Sequence, residues 1–326
     1  MKAVLIETTG SWDVLKYKEV ETPEPGPSQV RVKTASISVN FADIMLRLGN
    51  YPIMPPFPAI PGLECSGTID RVGENVKELK AGQAVIVFGP NCYAEYVLAE
   101  ADGVVPIPEG IDLDDAAALT VNYVTAYHML HSMAGIKKGQ TVLAYAAAGG
   151  VGTAVIQLSK PVDFTVIGLT STDEKSAFAE NQGVDHTINY NREDVVTRVK
   201  EITNGSGVDL ILNSVAGDTF ARDFEVLAPL GQIIWFGYAA GPPEENLTEL
   251  LQNHFTKSVG IRTFVIYTIA QIHPDLMRHS YEVLFRYLKE GTVKPHIQER
   301  IPLLEASRAH RMLESRTVTG KLILKP

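Results

Sequence analysis

Over roughly the first 120 residues, apolar and polar side chains alternate in short runs, with the period of two that a half-buried strand requires. "QVRVKTASISV" and "CSGTIDRV" carry this alternation, and "QAVIVFG" and "AEYVLAE" are apolar strand candidates. "ETPEPGPSQ" and "YPIMPPFPAIPG" are too rich in proline for the interior of a helix or strand and read as loops. This part of the chain predicts a β-rich, barrel-like domain.

The pattern then changes. "DDAAALTVNYVTAYHMLHSMAG" has the length and apolar density of a partly buried helix. A regular alternation follows: strand "TVLAYA", helix 152–160, strand "FTVIGL", helix 174–182, strand "HTINY", helix 194–203, strand "VDLILNSV", helix 219–227 and strand "QIIWFG". Strands alternating with helices predict a doubly wound parallel sheet covered on both faces, so the fold class is α/β with a β-rich domain beside it. The last stretch predicts helices near 277–290 and 303–313 and the strand "GKLILK".

The first strand of that alternation runs into "AAAGGVG" and then a helix, the context in which a G-x-G-x-x-G fingerprint has meaning. Gly149 and Gly152 occupy its second and third positions, which admit the pyrophosphate to the backbone and let the helix sit close to the strand. Ala147 replaces the first glycine, at the turn, and costs one methyl if its backbone stays out of the left-handed region. The amides of Gly150, Val151 and Gly152 at the helix start supply the anion site whatever the side chain at 147. The next strand ends at Leu169, followed by Thr170, Ser171 and Thr172 and not by the acid that holds ribose hydroxyls in an NAD site. No carboxylate there repels a 2′-phosphate. Lys175, one turn into the next helix, and Tyr190, closing the third strand, are placed to bind one; equally, Lys175 is placed as a solvated helix residue.

At 326 residues two domains are expected, and the composition, 45% hydrophobic and 21% charged, is that of a globular protein. The net charge of -9 disfavours a nucleic-acid partner. No run is long and apolar enough for an integral membrane segment, and "MKAVLIETTG" meets an acid too early for a secretory signal. Two cysteines, Cys65 and Cys92, make no disulfide framework, so a cytoplasmic location is expected.

"VNFADIMLRLGNYP", "PGLECSGTI", "AALTVNYVTAY", "AAAGGVG", "GVDHTINY", "VKPHI" and "LESRTVTGKLIL" follow one another over the whole chain. With these motifs, in family order, the chain resembles the medium-chain dehydrogenase/reductases, and within them the zinc-free quinone oxidoreductase (zeta-crystallin-like) group. It implies a GroES-like catalytic domain, 1–120 completed by 266–326, around a Rossmann domain at 121–265. It implies NADPH as cofactor, with Lys175, Tyr190 and Arg316 on its 2′-phosphate. Asn40 and Thr125 are implied beside the nicotinamide, and the segment Phe236, Gly237, Tyr238 along its carboxamide. A homodimer is implied too. "MLRLGNY" and "TVNYVTAY" are similar to the vesicle amine transport protein branch, known more for association with membrane trafficking than for a substrate.

Zinc relatives carry glycine-histidine-glutamate where this chain has Gly62, Leu63 and Glu64, and leucine cannot bind zinc. No metal is expected, and Glu64 reads as structural. Without a Lewis acid the fitting reaction is hydride transfer from NADPH to a small-molecule electron acceptor, a quinone or an α,β-unsaturated carbonyl, whose oxygen gains charge and needs a hydrogen-bond donor. The resemblance makes Tyr51 that donor, with Asn40 beside it. A further tyrosine often found between them is Met45 here, which makes the site more apolar. The residues alone leave other roles open: Asn40 bracing a turn, Asp43 capping a helix, Tyr51 packing on prolines. An enoyl-thioester reductase, and an NADPH-binding protein with little turnover acting through a protein or membrane partner, are the alternatives.

Overall fold

The computed structural model describes residues 1–326. β1 (Lys2–Leu5) and β2 (Lys16–Glu19) pair as a small antiparallel ladder. β3 (Gln29–Ser38) leads to the short helix α1 (Phe41–Leu48), and β4 (Glu64–Val72), β5 (Ala84–Phe88), β6 (Tyr96–Glu100) and β7 (Val104–Pro106) follow. The predicted long helix is present as α2 (Leu113–Tyr127), but it widens into a π turn over His128–Ala134 before Gly135 ends it.

The alternating part contains β8 (Thr141–Ala144), α3 (Gly150–Val162), β9 (Thr165–Thr170), α4 (Asp173–Asn181) and β10 (His186–Asn189). It continues with α5 (Val195–Ile202), β11 (Val208–Asn213), α6 (Phe220–Val226) and β12 (Leu227–Trp235). α7 (Leu247–Asn253), β13 (Gly260–Thr263), α8 (Ile266–Ile272) and α9 (Pro274–Lys289) come next, and β14 (Ile297–Pro302), α10 (Ala306–Glu314) and β15 (Lys321–Lys325) close the chain.

Two compact units result. The first comprises Met1–Val121, Tyr281–Lys289 and Pro295–Pro326, the second Asn122–Ser280 and Glu290–Lys294. Residues 266–280 and 290–294, expected with the first domain, belong to the second.

In the first unit the sheet order is β14-β15-β3-β4-β5-β7, with β6 on the other part of β3. Alternate residues of β3, Val30 and Val32, join Ile69, Val85, Val97 and Leu322 in one buried core. Full burial of such side chains contributes about 1.5–3 kcal/mol each.

The second unit is a six-stranded parallel sheet in the order β10-β9-β8-β11-β12-β13. The order reverses between β8 and β11, and in open α/β sheets ligands bind at the carboxyl ends of the strands flanking that point. Leu143, Ile167, Ile211, Phe220 and Phe224 fill the core of this unit. α6 ends against Lys257, whose Nζ donates to the carbonyls of Phe224, Glu225 and Leu227 at 3.2, 3.2 and 3.0 Å. Those are the carbonyls a helix end leaves without an intrahelical partner.

Candidate active site

The switch-point loop begins where β8 stops. Ala146 takes the left-handed conformation, φ 50°, and Ala147 does not. The Ala147 amide donates to the Leu169 carbonyl at 3.0 Å, tying the turn to the end of β9. The methyl at 147 has a place to go: a Cβ on Gly168 would lie 2.7 Å from Ala147 Cβ, so the missing glycine of the turn is matched by a glycine in the neighbouring strand. Gly152 has no such freedom, because a Cβ there would come 2.5 Å from the Ala146 oxygen and 2.6 Å from Ala147 Cα. That contact is the close helix–strand packing the third glycine permits. A Cβ on Gly149 would meet only the Ala146 oxygen, at 3.2 Å, so its other side is open. The first helical bond of α3 is from the Thr153 amide to the Gly149 carbonyl, 2.8 Å. The amides of Gly150, Val151 and Gly152 precede it and have no acceptor within the helix, which is what a pyrophosphate needs.

Beyond the loop, Thr170 is buried and its Oγ1 lies 2.6 Å from Ser176 Oγ. The half-buried Ser171 accepts from Asn191 Nδ2 at 2.7 Å through its carbonyl. Thr172 caps α4, accepting from the Lys175 amide at 3.3 Å, so Lys175 sits in the first turn. The Tyr190 amide donates to the Thr170 carbonyl at 3.1 Å, which holds the tyrosine beside the end of β9. Asp173, the first acid after that strand, is engaged by Asn189 Nδ2 (2.6 Å) and paired with Arg192. Arg192 was not anticipated; the signal for it is the polar "NYNRED" that follows the third strand. Arg316 lies in the first unit, exposed, with φ 57°.

Thr125 is buried on α2. The segment after β12 is anchored by the Phe236 amide on the Asn213 carbonyl (2.9 Å) and by Trp235 Nε1 on the Gly237 carbonyl (2.7 Å). A side chain at Gly237 would strike the Ser214 carbonyl at 2.7 Å. Tyr238 meets Trp235 edge-on, at 5.0 Å between centroids. Beneath this segment lies a polar cluster. Tyr145 OH donates to Asp223 Oδ1 (2.6 Å), Asn213 Nδ2 donates to Asp223 Oδ2 (2.7 Å), and Arg222 Nε donates to Tyr145 OH (3.1 Å). Asn213 Oδ1 in turn accepts the amides of Val215 and Ala216, each at 2.9 Å, and so fixes the loop after β11. Burial pushes the Asp223 carboxyl up to about 7, against the pull of its bonds to Tyr145 and Asn213.

In the first unit Asn40 caps α1 in an extended conformation, φ -117° and ψ 155°. Its amide donates to Asp43 Oδ2 at 2.8 Å, so Asp43 supports the helix start from its third position while Asn40 is the cap. The Asn40 side chain is doubly held: Nδ2 donates to Glu64 Oε1 (2.7 Å), and Oδ1 accepts from Lys321 Nζ (2.6 Å). Lys321 and Glu64, both buried, form an ion pair at 2.9 Å, and Glu64 Oε2 accepts the Val121 amide at 2.5 Å. Tyr51 is half-buried against the same apolar core. Asp43 also accepts from Tyr93 OH (3.1 Å), which lies 3.1 Å from His310 Nε2. Burial drives Asp43 up to about 7 and, with the nearby Arg47 charge, His310 down to about 3. Arg47, wholly buried, forms a two-pronged pair with the Glu314 carboxylate at 2.5 and 3.0 Å.

Two family profiles match the chain: one described as alcohol dehydrogenase GroES-like domain over residues 26–109, and one described as zinc-binding dehydrogenase over residues 182–324. A quinone oxidoreductase of Pseudomonas aeruginosa is 34% identical over all of this chain and 99% of its own. The human synaptic vesicle membrane protein VAT-1 homolog is 31% identical, over all of this chain and 86% of its own. Among solved structures, the Escherichia coli quinone oxidoreductase complexed with NADPH superposes with a TM-score of 0.95 at 30% identity, covering all of both chains.

The chain belongs to the medium-chain dehydrogenase/reductase family. Leu63 is a buried hydrocarbon side chain, and no group of three or more histidine, cysteine, aspartate or glutamate side chains is gathered where it could hold a metal ion. Both cysteines are free and buried, and burial, followed by the hydrogen bond to Cys65, pushes the Cys92 thiol up. No helix is long and apolar enough to cross a membrane. Besides Arg192, three residues of this medium-chain reductase that no local pattern marks, Lys321, Tyr93 and His310, reach their partners from far along the chain.

Proposed function

We propose that this protein is an NADPH-dependent, zinc-free oxidoreductase that passes hydride to a quinone or to the β-carbon of an α,β-unsaturated carbonyl. The observation that carries this reading is the switch-point loop: three helix-start amides with no helical acceptor, followed by a strand end that offers hydroxyls, Lys175 and Tyr190 in place of a ribose-binding acid. The likeness to an NADPH-complexed quinone oxidoreductase and, at 31% identity, to a 2-haloacrylate reductase of a Burkholderia species supports both cofactor and acceptor class.

Gly149, Gly150, Val151 and Gly152 would hold the pyrophosphate. Thr170 and Ser171 would face the adenosine ribose, and Lys175, Tyr190 and Arg316 its 2′-phosphate. Asn40, Thr125 and the Phe236–Tyr238 stretch would border the nicotinamide. When bound, the cofactor supplies the hydride. Tyr51 would then donate a hydrogen bond to the acceptor oxygen that gains charge, an interaction worth more after hydride arrival than before. A cytoplasmic homodimer is part of the same reading.

Turnover of one quinone and one enone, measured with NADPH and with NADH, tests it. NADPH should be preferred at least tenfold, and Lys175→Ala should erase most of that preference while leaving NADH turnover nearly unchanged. Tyr51→Phe should slow the enone about a hundredfold and the quinone less. Equal use of both cofactors, or a parental enone rate in the tyrosine variant, would overturn the corresponding assignment. The VAT-1 likeness favours a second reading, NADPH binding in the service of a membrane-associated partner, and liposome co-sedimentation without measurable turnover would support it.

A further inference from the structure

We infer that Lys321 and Glu64 are positioning residues for hydride transfer, acting through the side chain of Asn40; the inference rests on the reading that Asn40 borders the nicotinamide. An asparagine side chain has a donor end and an acceptor end of nearly equal size, and its usefulness depends on which end faces which way. Here both ends are fixed by partners that cannot exchange roles. The Lys321 ammonium only donates and meets Oδ1 at 2.6 Å; the Glu64 carboxylate only accepts and meets Nδ2 at 2.7 Å. Turning the amide over would set donor against donor and acceptor against acceptor.

The triangle is itself anchored. Lys321 Nζ donates to Glu64 Oε1 at 2.9 Å, and the other Glu64 oxygen accepts the Val121 amide. The Asn40 backbone is held at the start of α1 by the Asp43 carboxylate. The oxygen end is also turned toward the helix start by the capping box of α1, and the second N–H of the amide is then set in a fixed direction. A buried ion pair is a poor investment for stability alone, since its desolvation offsets its attraction and an apolar pair of like volume would serve as well. Orienting a neutral dipole is a use that an apolar pair could not replace.

The test compares the parental protein with Asn40→Ala, Lys321→Met and the double variant, using NADPH and 1,4-benzoquinone. Turnover, NADPH affinity by fluorescence and thermal unfolding are measured for each. Lys321→Met should lower kcat by tens of fold, up to about a hundredfold as misplacement of a site group can, with NADPH affinity within about threefold. In the Asn40→Ala background the same substitution should add little, because the two act as one unit. Equal losses from Lys321→Met in both backgrounds, with Asn40→Ala itself impaired, overturn the inference alone. Parental kcat for Asn40→Ala overturns the placement of Asn40 and the inference with it. Should Lys321→Met fail to fold because Glu64 is left as a lone buried charge, Glu64→Gln with Lys321→Met removes both charges. That pair should fold and still lose kcat severalfold, and parental kcat there overturns the proposal.

Discussion

Each unit buries a tyrosine hydrogen-bonded to an aspartate, and the two pairs are wired differently. In the second unit both oxygens of Asp223 receive a donor, from Tyr145 and from Asn213, and Arg222 stands behind the tyrosine. In the first unit Asp43 takes both of its donors, the Asn40 amide and Tyr93, on Oδ2, and its Oδ1 is buried with no partner. Burial raises both carboxyls to about 7. The difference lies in what each pair is built to carry. Asp223 is surrounded by donors on both sides and organises the loop after β11 through Asn213. Asp43 uses one oxygen only, a demand that a neutral group of the same shape can meet.

The largest effect that separates them is expected from Asp223→Asn. An amide has one acceptor end, so either Tyr145 or Asn213 would face an N–H, and a buried donor without an acceptor costs about 1–3 kcal/mol. Urea unfolding at pH 8 should register that loss, and a parental midpoint would mean that the cluster repacks at no cost.

A second, intermediate effect is a change of slope with pH. Asp43 and Asp223 keep a proton to about pH 7 in the fold, against about 4 in the unfolded chain, so the stability they contribute is full below pH 4 and is lost as pH rises through 7. His310 and His128, held by burial at about 3 and 4, run the other way, losing their contribution as pH falls below about 6.5. His131 and His296, which burial also lowers, act with these two histidines, so the carboxyls and the histidines oppose each other between about pH 4.5 and 6.5. Asp43→Asn removes one group from the carboxyl side. Relative to the parental protein, stability of that variant should fall on acidification through this window, by at most about 1.4 kcal/mol per pH unit. The same slope in variant and parent would show that Asp43 does not hold its proton in the fold.

The smallest effect is the same substitution at pH 8. Asparagine can place its oxygen where Oδ2 accepts Tyr93 and the Asn40 amide, which keeps both existing bonds; its NH2 then lies at the unpartnered position, a cost, while the buried charge is gone, a gain. The two offset each other, and Asp43→Asn should change unfolding free energy by less than about 1 kcal/mol. A loss as large as that of Asp223→Asn would erase the contrast between the units.

How much of this was legible in the chain depends on how local each interaction is. The order of the parallel sheet and the loop after β8 follow from short-range periodicity and from glycine positions three residues apart. The reason Ala147 is tolerated is Gly168, on the next strand, which no inspection of the loop discloses. α1 spans only eight residues, β13 is four residues long, and β14 is too polar to alternate visibly. Lys321 lies in "LESRTVTGKLIL" and Glu64 in "PGLECSGTI", and the two meet across 257 residues of chain. Tyr93 and His310 are 217 apart. Single-sequence patterns carry no record of such pairings.

β15 lies between β14 and β3, and it brings Lys321 to Glu64. A ribosome delivers β3 well before β15, with the whole of Asn122–Ser280 made in between. Since domains generally fold as units while they emerge, the second unit can finish at Lys294 while the first still waits for β14, α10 and β15. Throughout that interval the Ile37–Ser38 end of β3 lacks the strand that pairs with it, and Glu64 lacks its counter-ion. β3 is thus made long before the strand that seals it, and nascent chains stalled between β3 and Lys321 would present that open strand to chaperones or to one another.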